Sequence, residues 1–133
     1  MRLFGTDGIR GKVGKYPLTS ENVLKLAKAS SLVLRKKNSI SRVVINKDTR
    51  LSGYMFEPAL TSGFISMGIE VILVGPLPTP ALTVLSKSLR ADFSVMITAS
   101  HNPYQDNGLK FFSGQGLKIS VEEENKIEEF FFN

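Results

Sequence analysis

Three short apolar runs rich in β-branched residues stand out along the chain, each of a length typical of a buried strand. They cover residues 42–46 (RVVIN), 69–74 (IEVILV) and 93–97 (FSVMI). Charge or glycine interrupts every apolar stretch well before the roughly 18 residues that a membrane span needs. We therefore expect no interaction with a membrane.

Apolar residues recur at helical spacing between and after these runs. The predicted helices cover about residues 20–37, 54–67, 80–89 and the segment from 120 onward. Thr19 is a candidate N-cap for the first helix, and Gly68 follows the second at a C-cap position. Ser120 and Glu123 form the pattern of a capping box. Strands that alternate with helices indicate an α/β fold, and we predict a mixed, largely parallel sheet sandwiched by helices.

The length and composition fit one soluble domain, with 133 residues of which 42% are hydrophobic and 22% charged. The absence of cysteine excludes disulfides, thiolate chemistry and cysteine–zinc sites. A single histidine excludes a multi-histidine metal site. The N-terminus MRLFGTDG has no signal or transit pattern, so we expect a cytoplasmic protein.

The net charge of +5 is unevenly distributed. Residues 1–119 hold 16 of the 17 basic residues but only seven of the twelve acidic ones, which gives this part +9. Such a body attracts anionic molecules such as sugar phosphates. Glu122, Glu123 and Glu124 are consecutive at a helix start and cannot converge on one ion, so we expect a solvated helix start rather than a metal site.

The loop after the third strand, residues 98–110, is dense in reactive side chains. Ligands gather at the carboxyl ends of strands in such sheets. Asn107-Gly108 is a strong turn signal and predicts that the chain folds back there, bringing Lys110 towards Ser100 and His101. A hydroxyl beside a histidine and a lysine suits nucleophilic or phosphoryl-transfer chemistry. The alternative is a capping serine followed by a hydrogen-bonding histidine.

Two further loops have two interpretations each. The glycine-rich residues 5–11 let the backbone approach a ligand that Arg10 could bind as a phosphate, or they form a hairpin in which Asp7 and Arg10 pair. In residues 47–53, Asp48 and Arg50 form a salt bridge or bind an anion beside an N-cap at Ser52, and we favour a structural role.

Four motifs in order make the chain recognisable. They are GTDGIRG at 5–11, DTRLSG at 48–53, PLPTPAL at 76–82 and TASHNPYQDNGLKFF at 98–112. Together they resemble the first domain of the α-D-phosphohexomutase superfamily, and among its branches the chain is most similar to the bacterial phosphoglucosamine mutases. Phosphomannomutases and phosphoglucomutases share the serine loop but usually differ from GTDGIRG.

The resemblance implies a role for each matching residue. Ser100 would be the phosphoserine that exchanges its phosphoryl group with a hexosamine phosphate, and its phosphate would ligate a catalytic Mg²⁺. His101 and Lys110 match positions implicated in proton transfer and charge stabilisation, and Arg10 with Thr6 matches a loop that faces the active-site cleft. The implied reaction interconverts glucosamine 6-phosphate and glucosamine 1-phosphate through a bound 1,6-bisphosphate and feeds cell-wall precursor synthesis.

The resemblance also implies parts that this sequence lacks. Members of the superfamily have four domains, and residues 1–133 match only the first. The acidic metal loop, the sugar-binding loop and a further phosphate-binding loop have no counterpart in this sequence. The remaining Mg²⁺ ligands must therefore come from missing domains or a separate chain. The end of the sequence, three residues after Phe130, suggests a further segment, and we expect the chain alone to be inactive.

Two other functions remain open. One is a non-catalytic remnant that still binds sugar phosphates or a partner protein, and the other, within the family, is a phosphomannomutase or phosphoglucomutase domain. Nucleic-acid binding rests on charge alone, and we do not expect it. Apolar side chains that missing domains would cover favour a homo-oligomer. The candidates are Phe111, Phe112, Phe130, Phe131 and Phe132.

Overall fold

The computed structural model describes residues 2–99 and 102–133. Five strands and four helices alternate along most of this part of the chain. In order they are β1 (Ile9–Lys12), α1 (Ser20–Leu34), β2 (Arg42–Lys47), α2 (Gly53–Ser66), β3 (Glu70–Leu73), α3 (Thr79–Ser88), β4 (Phe93–Ile97), β5 (Asp106–Ser113) and α4 (Val121–Phe132).

The strands form one mixed sheet in the order β1-β5-β4-β2-β3. The three predicted strands are its parallel part, since β2 pairs in parallel with both β3 and β4. Strand β5 pairs antiparallel with β4 on one side and with β1 on the other. The predicted α/β class and mixed sheet are confirmed, whereas β1 and β5 were not predicted from the sequence.

The turn predicted at Asn107-Gly108 is wrong. Both residues belong to β5, where Asn107 pairs with Gly11 and Gly108 with Arg10. The chain reverses earlier, where the amide of Asp106 donates to the carbonyl of Pro103 at 2.9 Å. The polar Asn-Gly pair enters a strand because β1 and β4 supply partners on both sides, so pairing outweighs local turn preference.

Helices cover both faces of the sheet, and alternate strand residues point to opposite sides. Val43 and Ile45 of β2 enter the main core, which packs under α1, α2 and α4. Val44 enters a smaller cluster with Leu82 of α3 and Met96 of β4. Helix α3 packs on β4 on this second side, and the part of that side formed by β1 and β5, which we call the open face, lies next to α3.

Capping decides where the helices begin and end. The Thr19 hydroxyl accepts from the amide of Asn22 at 3.2 Å, and Gly68 follows α2 with φ +78°. The capping box of α4 is complete. These predictions are confirmed, although α1 ends at Leu34 rather than near residue 37. Ser52 precedes α2 without capping it, because its hydroxyl instead accepts from Asn107 at 2.6 Å.

The expectation of a solvated start to α4 is wrong for Glu124, which is only 3% exposed. Glu128, one turn later, is also buried, and its Oε2 accepts from the amides of Leu3 at 2.6 Å and Phe4 at 3.0 Å. Both carboxylates face the N-terminal segment, which packs on this side of α4. Buried carboxylates need donors or cations, and this segment supplies them.

The five phenylalanines considered for an exposed patch have different environments. Phe111 and Phe131 are buried in the main core, so that expectation is wrong for them. Phe130 and Phe132 are 49% and 42% exposed, and Phe112 is half-buried against the smaller cluster. Self-association through the exposed pair stays a prediction. Within the described residues, no helix has both the length and the apolarity to cross a bilayer.

Candidate functional site

Ser100 and His101 lie outside the described residues, and the structure describes the chain on both sides of them. The serine loop (residues 98–105) leaves β4 at the edge of the sheet where β2 also ends, as the strand order predicts. The Asp48 amide donates to the Ile97 carbonyl at 3.1 Å, which ties the two strand ends together. The Thr98 amide donates to the Gly108 carbonyl at 2.9 Å.

Asp48 and Arg50 brace both ends of the serine loop. The Asp48 carboxylate accepts from the Thr98 hydroxyl at 2.8 Å and from Arg50 Nε at 3.0 Å. Arg50 Nη1 donates to the carbonyls of Pro103 at 2.7 Å and Asp106 at 3.3 Å. The side chains of Arg50 and Asp48 are 12% and 27% exposed, so this ion pair is partly shielded from water. The predicted salt bridge is confirmed, and its contacts show the structural role.

Arg10 lies on the open face beside the serine loop. Ile9 points into the main core, so its neighbour Arg10 points to the opposite side of the sheet. Its Nη1 donates to the Asn102 side-chain oxygen at 3.4 Å, two positions after Ser100. A Cβ on Gly108 would lie 2.6 Å from the Ile9 carbonyl oxygen and 2.9 Å from both the Thr98 carbonyl oxygen and Arg10 Cγ, so glycine is needed for this close packing of the backbone and the arginine stem. The alternative in which Asp7 pairs with Arg10 is not among the ion pairs found in the described residues.

Lys110 lies on the same face as Arg10. It is opposite Met96 in the β4–β5 ladder, while its neighbours Leu109 and Phe111 point into the main core. Lys110 is half-buried and lines a cavity of about 220 Å³. Arg10 and Lys110 therefore bring two cationic side chains to one face, two positions apart in the pairing of β1 with β5.

Thr6 approaches Lys110 through the N-terminal turn (residues 5–8). The Gly5 amide donates to the Gly8 carbonyl at 2.8 Å, which closes this turn, and Gly8 packs against the Lys110 stem. Thr6, Asp7 and Lys110 line the same cavity, together with Thr79 at the start of α3. The structure thus brings together Thr6 and Lys110, and separately Arg10 and the serine loop.

Lys118 is a cavity residue that the sequence analysis missed. Its ammonium donates to the Thr6 carbonyl at 2.7 Å, and it lines the cavity beside Lys110. The contact joins residues that are 112 positions apart. No local pattern signals such a pair, since it arises from the packing of the N-terminal segment on α4.

The described residues contain no group of three or more histidine, cysteine or acidic side chains that could hold a metal ion. The nearest carboxylates to the serine loop, Asp48 and Asp106, are engaged with Arg50, Thr98 and Asn102. Mg²⁺ favours several oxygen ligands in octahedral geometry. These described side chains alone therefore do not form a magnesium site.

The arrangement suits an anion near the serine loop. Cationic side chains lie on one open face, Asp48 and Arg50 hold both ends of the loop, and the backbone of the N-terminal turn lies close to Lys110. Phosphoryl transfer depends mainly on such positioning and on cations around the developing charge.

Comparison with known proteins gives the same family as the sequence motifs. The family described as phosphoglucomutase/phosphomannomutase, alpha/beta/alpha domain I, matches residues 1–133. The phosphoglucosamine mutase of Rhodospirillum centenum is 59% identical over 127 residues, which are 96% of this chain and 27% of that protein. That of Granulibacter bethesdensis is 58% identical over 127 residues, covering 96% of this chain and 28% of the relative.

A solved structure agrees with these relatives in fold. A phosphoglucomutase/phosphomannomutase family protein from Burkholderia thailandensis superposes with a TM-score of 0.85 at 28% identity, covering 98% of this chain and 30% of that one. This chain therefore spans less than a third of each of these three relatives. The match along the whole of the present sequence confirms the predicted superfamily: the chain belongs to the phosphoglucomutase/phosphomannomutase family, as its α/β/α domain I.

Proposed function

We propose that this chain is the phosphoserine-bearing domain of a phosphoglucosamine mutase. The observation that carries the proposal is its identity of 56–59% to several relatives named phosphoglucosamine mutase. The substrate would be a hexosamine phosphate, converted between glucosamine 6-phosphate and glucosamine 1-phosphate. The Arg10 and Lys110 side chains on one open face support an anionic substrate.

In the proposed reaction, the phosphoryl group moves from Ser100 Oγ to a free hydroxyl of the sugar phosphate. The serine O–P bond breaks, a P–O bond to the sugar forms, and the hydroxyl proton passes to a base. The resulting 1,6-bisphosphate returns its other phosphoryl group to Ser100 by the reverse steps. We assign proton transfer and charge stabilisation to His101 and Lys110, and phosphate contact to Arg10 and Thr6.

Mg²⁺ would offset the charge of the phosphoserine, which is about −1.5 to −2 at neutral pH. On this proposal one ligand is a phosphate oxygen on Ser100, and the others come from outside the chain. Because the chain spans 27–28% of the phosphoglucosamine mutases of R. centenum and G. bethesdensis, we propose that further domains, or a chain that carries them, complete the metal and sugar sites.

A chimera tests this proposal. Residues 1–133 replace the matching domain of the R. centenum enzyme, and a coupled assay follows glucosamine 1-phosphate formation. We expect turnover by the chimera, none by the Ser100→Ala chimera, and none by the isolated chain. A folded chimera without activity would contradict the proposal. Robust turnover by the isolated chain would contradict the need for further domains.

A second arm separates the sugar alternatives within the family. The sugar-binding parts of the chimera come from the R. centenum enzyme, so its activity tests whether this domain works together with the other domains of a phosphoglucosamine mutase. Activity on glucosamine 6-phosphate supports the proposal. An inactive chimera, together with turnover when residues 1–133 replace the matching domain of a phosphomannomutase or phosphoglucomutase, would instead favour one of those two activities.

A further inference from the structure

The cavity beside Lys110 has a polar wall that the proposed reaction does not use. It consists of Lys118, which is half-exposed, and Glu124, whose side chain is 3% exposed. Lys118 Nζ lies 4.0 Å from Glu124 Oε2 and donates to the Thr6 carbonyl at 2.7 Å. The pair thus connects α4 to the N-terminal turn, across the cavity that Lys110 also lines.

The buried Oε2 of Glu124 explains why the Lys118 ammonium is held beside the N-terminal turn. Glu124 Oε2 is buried and accepts no hydrogen bond from the described residues. A buried carboxylate without donors is costly unless cations lie close to it. Lys118 is one such cation, and Arg2 is another, with Nη2 at 3.8 Å from Oε1. Glu124 therefore favours the Lys118 position from which the ammonium reaches Thr6.

Within the described residues, Lys118 makes the side-chain hydrogen bond found to this turn, and Gly8 packs against the Lys110 stem. Glu128 holds the preceding amides of Leu3 and Phe4, and the turn itself is closed by the Gly5–Gly8 hydrogen bond. Glycine on both sides of the turn gives the backbone wide freedom when it is not held. A charged hydrogen bond to the Thr6 carbonyl restricts that freedom at the tip.

We propose that Lys118 and Glu124 are positioning residues, which hold the N-terminal turn against the strand that carries Lys110. This inference rests on the proposed function, because the turn matters for catalysis only if Thr6 and Lys110 face the reacting phosphate. A loosened turn would have to be ordered in each catalytic cycle. The pair therefore acts on kcat more than on the binding of the sugar phosphate.

Hydrogen exchange on the 133-residue chain tests the first half of the inference. In Lys118→Met we expect the Gly5 amide to exchange roughly tenfold faster, the size of effect expected for the loss of a charged hydrogen bond. Glu124→Gln should give a smaller change in the same direction. The matched controls are Lys126→Met and Glu122→Gln, which break an exposed pair on the same helix, with Nζ–Oε1 at 3.6 Å.

Kinetics of the chimera test the second half. In Lys118→Met we expect kcat to fall about tenfold while the KM for glucosamine 6-phosphate changes by less than about twofold. Lys118→Arg should recover most of the rate, because it restores a cationic donor. Both control variants should match the parent chimera.

The outcomes separate the two proposals. Unchanged exchange at Gly5, or faster exchange throughout the sheet, would overturn the positioning role. Faster exchange at Gly5 with unaltered kcat would overturn its catalytic part. An inactive parent chimera would instead refute the proposed function, and the exchange result alone would then decide whether the pair holds the turn.

Discussion

Gly8 lies where the N-terminal turn crosses the strand that carries Lys110. Its φ is +82°, and a Cβ there would overlap the Leu109 carbonyl and press on the Lys110 stem. A side chain at this position would therefore cost free energy twice, through the strained φ and through the steric overlap. Gly14 has nearly the same φ of +85°, but a Cβ there would meet nothing within 4 Å. A comparison of substitutions at Gly8 and Gly14 therefore distinguishes the cost of the positive φ, which both share, from the cost of the steric contact, which only Gly8 has.

We expect Gly8→Ala to lower the free energy of unfolding by about 3 kcal/mol, and Gly14→Ala by about 1 kcal/mol. Urea denaturation of both variants checks this. Equal losses for the two variants would show that the contact with Leu109 contributes nothing.

For individual residues, the sequence motifs indicated which side chains belong to the candidate site but not which residues those side chains contact. Lys110 and Arg10 stand out in motifs, and the structure puts both on one face. The contacts Arg10–Asn102 and Lys118–Thr6 join residues far apart in sequence, at 3.4 and 2.7 Å. Such pairs depend on strand register and helix packing, which no local pattern contains. Ser100 and His101 remain predictions from the motif.

Among the elements, the helices and parallel strands were predictable because their signals are local. Thr19, Gly68 and the Ser120 capping box mark helix ends by hydrogen bonds within a few residues. Strand β5 was missed because it begins with Asp-Asn-Gly, which alone favours a turn. Its place between β1 and β4 supplies ladder partners, and the apolar alternation of Leu109 and Phe111 was the only signal for it.

The contact between α1 and α2 depends on a small residue. Gly63 of α2 is buried against α1, and a Cβ there would lie 2.5 Å from Ala27 Cβ and 2.8 Å from the Leu24 carbonyl. Alanine normally stabilises a helix relative to glycine by about 1 kcal/mol. Here the collision opposes that gain, because the two helix backbones cannot separate without opening the main core.

We therefore expect Gly63→Ala to destabilise the chain by about 1–2 kcal/mol, against its helix propensity. Ser62→Ala, at the exposed neighbouring position, should change stability by less than about 0.5 kcal/mol. Chemical denaturation measures both. A Gly63→Ala variant more stable than the parent chain would show that α1 and α2 can move apart at little cost.

For the whole molecule, the distribution of charge and the sheet topology both indicate the open face as the side that binds an anion. Residues 1–119 carry +9, and the open face beside α3 presents Lys110 together with Arg10, which contacts the braced serine loop. In contrast, the described residues contain no cluster of metal ligands. On our proposal this domain supplies a phosphoryl carrier and cations, and other domains supply the metal ligands and bind the sugar.

The position of the phosphoryl group in the working chimera tests the central claim most directly. After turnover with 1,6-bisphosphate carrying radiolabelled phosphate, peptide mapping locates the label. We predict label on the peptide that contains Ser100, its loss in Ser100→Ala, and its retention in Lys126→Met. Turnover with label on another residue, or with no labelled protein at all, would contradict the account.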